Sequence, residues 1–105
     1  MSKNKIKKLW GYFYEVSVAG EAHAQFLPIK RDELISTFIR KRYTLDDELA
    51  LLANGGDTEK HASEYAAYQD YRKEVKDGIA EIWGEVSAAN AAWEDAQPKT
   101  VLGNK

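Results

Sequence analysis

Residues 58–96 read TEKHASEYAAYQDYRKEVKDGIAEIWGEVSAANAAWEDA, and this stretch decides the fold. It holds no proline and no run of β-branched residues, and Ala and Glu dominate it. Tyr65, Tyr68, Val75, Ile79, Ile82, Val86, Ala89 and Trp93 recur mostly at alternating steps of three and four, with Arg72 as the one polar member of the series. That spacing predicts a single helix with a heptad-like apolar seam. Asp57 and Thr58 are placed to cap its start, and Gln97-Pro98 stops it. A helix of this length spans about 58 Å, whereas a compact domain of this size has a radius of gyration near 13 Å. A straight helix therefore outruns its own domain. Three outcomes are physical: the helix breaks at Gly78 or Gly84 and folds back, pairs with copies of itself, or docks on another protein. The last two make Val75, Ile79, Ile82, Trp83, Val86 and Trp93 the expected partner-binding residues. Tyr65, Tyr68 and Tyr71 stay near one side of the helix and are expected to anchor a core or an interface.

Working back from this helix, Thr44 opens Thr-Leu-Asp-Asp-Glu-Leu-Ala-Leu-Leu, an N-cap with carboxylates in the first turn. Asp47 stands where a capping box carries Glu. The expectation is a helix over 44–54 that buries Leu45, Leu49 and Leu52 and ends at Asn54-Gly55-Gly56. Leu34, Ile35, Phe38 and Ile39 form one stripe of a helix over 31–41, with Asp32 and Glu33 at its positive end and Arg40, Lys41 and Arg42 at its negative end. The two isoleucines and Phe38 would also suit a strand.

Further upstream, Trp10, Tyr12, Tyr14, Val16 and Val18 alternate with smaller or polar residues, which suits a strand with one buried face. A second run, Glu21 to Phe26, completes a hairpin over 9–27. A three-residue loop, Val18-Ala19-Gly20, pairs Val16 with Ala22, Tyr14 with Ala24 and Tyr12 with Phe26, all apolar. A two-residue loop would oppose apolar to polar residues. The fold class expected is α+β: an N-terminal β-hairpin, two short helices and one long C-terminal helix. They form a single domain over 1–96 with a flexible tail over 97–105.

Composition narrows the function classes. The chain has 105 residues, 44% of them hydrophobic and 30% charged, enough for one core. It has no cysteine, which excludes a disulfide scaffold, a thiolate zinc site and a thiol nucleophile. No run of about 18 apolar residues offers a membrane span. The net charge of −2 is segregated: residues 1–43 carry nine Lys/Arg against four Asp/Glu, and residues 44–105 carry six against thirteen. Such asymmetry orients a molecule against a partner or against its own copies. The lysines before an apolar run suggest a secretory signal, but Glu15 interrupts the run and its period is two. The expected location is the host cytoplasm or a virion.

No phosphate-binding glycine loop or nucleophile elbow is present. His61 and Glu64 share a helical face, but supply two metal ligands and no third. No catalytic residue, metal or cofactor is expected. Lys5, Lys7 and Lys8, and again Arg40, Lys41 and Arg42, form candidate basic patches, with Trp10, Tyr12 and Phe13 near the first. Such sets can hold a single nucleic-acid strand. The acidity of the long helix disfavours that reading.

Residues 39–52, IRKRYTLDDELALL, and 64–76, EYAAYQDYRKEVK, resemble small proteins encoded by tailed phages and prophages. These share an (I/V)RxRY(S/T)xDDE(L/F)A segment followed by EYxAYxxYxxxxK. Their genes lie among structural and tail genes, mostly without a defined activity. The resemblance covers about a third of the chain and leaves the hairpin outside. It implies a non-enzymatic role through protein–protein interaction, as a virion component or assembly factor, the partner being the chain itself or another phage protein. The alternatives are an acidic-surface inhibitor of a host protein and a single-stranded nucleic-acid-binding module.

Overall fold

A computed structural model describes residues 3–54 and 58–98. Three strands come first: β1 (Lys5–Trp10), β2 (Phe13–Val18) and β3 (Glu21–Phe26). Three helices follow: α1 (Arg31–Arg40), α2 (Leu45–Asn54) and α3 (Glu59–Ala96). The α+β class and the three helices agree with the sequence reading, the helix bounds within one residue. The glycine stop expected at 55–56 and the tail from 99 onward lie outside the described residues.

The sheet departs from expectation in two ways. It is an antiparallel meander of three strands in the order β1-β2-β3, rather than a two-stranded hairpin. The expected first strand is cut by a turn at Gly11-Tyr12, and the lysine-rich residues before it form β1. Lysine on an exposed edge strand discourages pairing with other chains, and its mixed pattern hides the strand from a hydrophobicity scan. Second, the β2–β3 turn has two residues, Ala19 (φ 54°) and Gly20 (φ 78°), not three. Two positive φ values make the primed turn whose twist suits a tight hairpin. Val16 therefore faces His23 and Val18 faces Glu21, the polar pairings that seemed unfavourable. They are tolerated because the β2 valines are covered from above by the helices, while the β3 partners sit on an edge strand with access to water.

Helix α3 runs unbroken through Gly78 and Gly84. The molecule measures 62 × 36 × 18 Å, with a radius of gyration of 17.6 Å. The rest of the chain lies alongside α3 instead of at one end of it. Val16 and Val18 of the sheet, Leu27 and Ile29 of the connection, and Leu34 and Phe38 of α1 form one core with Tyr71, Val75, Ile79, Ile82 and Val86 of α3. Gly78 is the closest crossing: a Cβ there would lie 2.8 Å from Val18 Cγ1 and 3.1 Å from the Asn4 side chain. The connection from β3 to α1 is clamped by Asn90, whose amide donates to the Ile29 carbonyl and accepts from the Ile29 N–H, both at 2.8 Å.

Candidate interaction surfaces

The residues expected to meet a partner are instead occupied within the chain. Val75, Ile79 and Val86 are fully buried and Ile82 is 2% exposed. Trp83 and Trp93 are half-buried against the same core, and the Arg31 guanidinium lies 5.4 Å from the Trp83 ring centroid. A helix projecting as a rod from a globule would leave this seam in solvent. With the sheet and α1 flanking its C-terminal half, the seam is the core.

The second basic patch is also engaged. Arg40 pairs with Glu48 at 2.7 Å. Arg42 pairs with Glu21 at 2.9 Å, donates to the Ala19 carbonyl at 3.0 Å and lies 4.3 Å from the Tyr71 ring centroid. The Glu21 carboxylate holds the Arg42 guanidinium above its ordinary pKa. The backbone N–H of Lys41 bonds the Phe38 carbonyl as α1 ends, and its side chain is exposed. Of the first patch, Lys5, Lys7 and Lys8 are exposed along β1, with a single loose ion pair of 3.7 Å from Lys7 to Glu15.

Helix α2 presents the main reversal. Thr44 and Asp47 form the expected capping box: Asp47 N–H donates to Thr44 Oγ1, and Thr44 N–H donates to Asp47 Oδ2, both at 3.0 Å. The helix starts as predicted, yet no residue of α2 is buried. Leu45, Leu49 and Leu52, expected inside, are 58%, 57% and 57% exposed. The face turned to α3 centres on Glu48 and Leu51, about 100° around the axis from the leucine stripe at 100° per residue. Glu48 accepts a hydrogen bond from the Tyr68 hydroxyl and is paired with Arg40. The Tyr68 hydroxyl, and then Arg40, hold the Glu48 carboxyl below its ordinary pKa. Burial, and then the bond to Glu48, push Tyr68 upward. An apolar-stripe argument assumes that the stripe is what docks. Here a charge-assisted network docks the helix, and the stripe is left in solvent.

Between α2 and α3 lies an open crevice of about 470 Å³, lined in part by Arg42, Asp47, Leu51, His61 and Glu64. His61 is half-buried, and its backbone N–H bonds the Thr58 hydroxyl at 3.1 Å, completing the N-cap of α3. Among the described residues no group of three His, Cys, Asp or Glu is placed to hold a metal ion, and no helix is long and apolar enough to cross a membrane.

The sheet has two unlike faces. Its inner face, with Ile6, Val16 and Val18, meets the helices. His23 belongs to this face, with its ring 6.4 Å from Phe38. The register places Trp10, Phe13 and Phe26 in one row across the outer face, followed by Lys7, Glu15 and Ala24, then Lys5, Ser17 and Ala22. The three rings touch: Trp10 stacks on Phe13 at 5.4 Å, and Phe13 meets Phe26 at 4.7 Å. Trp10 is nevertheless 61% exposed and Phe26 54%. Period-two spacing marks the strand of Tyr14 to Val18, but only the register brings residues 10, 13 and 26 together. In comparisons with known proteins, no family model, curated protein or solved structure matches the chain.

Proposed function

We propose that the chain is a non-enzymatic interaction protein, a virion component or assembly factor of a tailed phage, which lays α2 into an apolar groove of a partner protein. The observation that carries this reading is the leucine stripe of α2, three residues each more than half exposed on a helix held through an adjacent face. Helices that dock into grooves present anchors at i, i+4 and i+7, and Leu45, Leu49 and Leu52 have that spacing. The stripe also lies within residues 39–76, the part that resembles phage-encoded proteins. Covering the exposed half of each leucine contributes about 1 kcal/mol or more, sufficient for a specific contact when a groove supplies the shape. The partner is another phage protein or a second copy of the chain.

The test is co-expression with the structural proteins of the phage, followed by co-purification. Leu49→Glu is expected to abolish recovery of the partner while leaving the far-UV spectrum and melting temperature close to wild type, because Leu49 lies outside the core. Light scattering on the chain alone identifies a second copy as the partner if the mass exceeds 11.9 kDa and Leu49→Glu returns it to that value. A partner retained equally by Leu45→Glu and Leu49→Glu would overturn the reading.

A further inference from the structure

The outer face of the sheet is a second surface, remote in kind from the leucine stripe and independent of it. We propose that it binds single-stranded nucleic acid, with Trp10 and Phe26 stacking on bases and the β1 lysines meeting the phosphates.

The rings are the first argument. Trp10 and Phe26 are exposed but not loose, because each is braced on Phe13 and they meet edge to face at 5.4 Å. Side chains already ordered lose little freedom when a base stacks on them. Beyond the rings the surface is low at Ala22, Ala24 and Ser17, with Glu15 among them paired to Lys7 at 3.7 Å, so a strand can lie across it. Lys5 and Lys7 stand beside this floor on the edge strand, exposed, in the positions a phosphate backbone would need.

Charge is the second argument. The acidity of the whole chain opposes nucleic acid, but the fold turns part of it away from the sheet. At 100° per residue, Asp70, Asp77 and Asp95 fall on the side of α3 opposite its buried seam, and hence away from the sheet. These three carboxylates lie across the core from β1, whereas Glu81 accepts from Asn4 beside β1 at 2.7 Å and Glu15 pairs with Lys7 on the outer face.

Size decides between occupants. Three strands of six residues present a face of roughly 20 by 14 Å, about a third of the ~800 Å² per partner that a standard protein interface buries. A protein or a second copy would gain too little there alone. A single strand gains per stacked base and per neutralised phosphate, so a few nucleotides suffice.

Fluorescence anisotropy with labelled 15-mers of oligo-dT and oligo-U, and a duplex of equal length, tests the site on the full chain. Both single strands are tried at about 50 mM and 200 mM salt, and binding is expected to weaken severalfold across that range. The tighter of the two names the ligand as DNA or RNA. Trp10→Ala and Phe26→Ala are each expected to weaken binding about tenfold, with the salt slope unchanged and Trp10→Tyr restoring most of the affinity. Lys5→Gln combined with Lys7→Gln is expected to reduce the slope of log K against log salt by about 1.4. Lys73→Gln, on the far helix, is expected to change nothing. Circular dichroism checks that each variant is folded. Absence of binding at low salt, equal binding of the duplex, or full affinity in folded Trp10→Ala and Phe26→Ala would overturn the proposal.

Discussion

Asn90 shows how much a single residue outside any apolar pattern can hold. It sits among alanines near the end of α3, and nothing in its neighbourhood distinguishes it. Yet it gives and receives hydrogen bonds with the backbone of Ile29, 61 residues away. Ile29 is 2% exposed, so its backbone groups have little water to turn to. Asn90→Ala strands a donor and an acceptor together, and the expected loss is about 1–3 kcal/mol of global stability. Urea unfolding measures it. Asn90→Asp, when ionised, keeps the acceptor for the Ile29 N–H but sets its second oxygen against the Ile29 carbonyl, so its stability should recover only at acid pH, where the protonated carboxyl can donate. Tyr71 acts in the same way: its hydroxyl donates to the Phe38 carbonyl at 2.5 Å, and burial pushes its pKa up. Contacts of this kind were invisible in the sequence because they depend on which loop arrives beside which turn of the helix.

At the scale of elements, the two interior glycines of α3 separate cleanly. By sequence both are candidate points for the helix to break. In the helix, Gly78 meets Val18 and Asn4, whereas a Cβ on Gly84 would find nothing within 4 Å. Gly84→Ala should therefore stabilise by about 0.5–1 kcal/mol, the helix propensity gain. Gly78→Ala gains the same propensity but forces apart the helix and β2, and overpacking of this kind costs about 1–3 kcal/mol. The net expectation is opposite signs for chemically identical changes, read as melting temperatures. The helices themselves were legible because caps and apolar spacing are local: Thr58, Thr44 and Asp47 make the bonds their positions imply. The sheet was half legible. Tyr14 to Val18 announced a strand, but Lys5 to Lys8 did not, and the turn at Ala19 required a non-glycine residue at positive φ that no pattern forecasts. The surfaces were least legible. Whether a stripe of leucines or of valines ends up covered depends on what lies alongside, and here the answer was reversed between α2 and α3.

Viewed as a whole, the molecule is two attachments to one long helix, made by different forces. The sheet and α1 hold the C-terminal half of α3 through apolar burial, each large side chain contributing about 1.5–3 kcal/mol. Helix α2 buries none of its residues and is held largely through Glu48, which bonds Tyr68 of α3 and pairs with Arg40 at the end of α1. The two parts should open independently, α2 first. Hydrogen exchange is expected to show lower protection along α2 than along residues 75–86 of α3. Acid sharpens the difference. The Glu48 carboxyl has a folded pKa below its ordinary value of 4.5, so its stabilising effect is present above that value and is lost as pH falls through the folded pKa. Glu48→Gln tests the same link at neutral pH: it keeps the side chain's shape and removes the charge that Arg40 and Tyr68 address. The expected cost is about 1–3 kcal/mol in the opening of α2, with the exchange of residues 75–86 unchanged. Equal acceleration in both regions would mean that α2 and the core unfold as one unit, and that the leucine stripe is presented by the whole fold and not by a separately held helix.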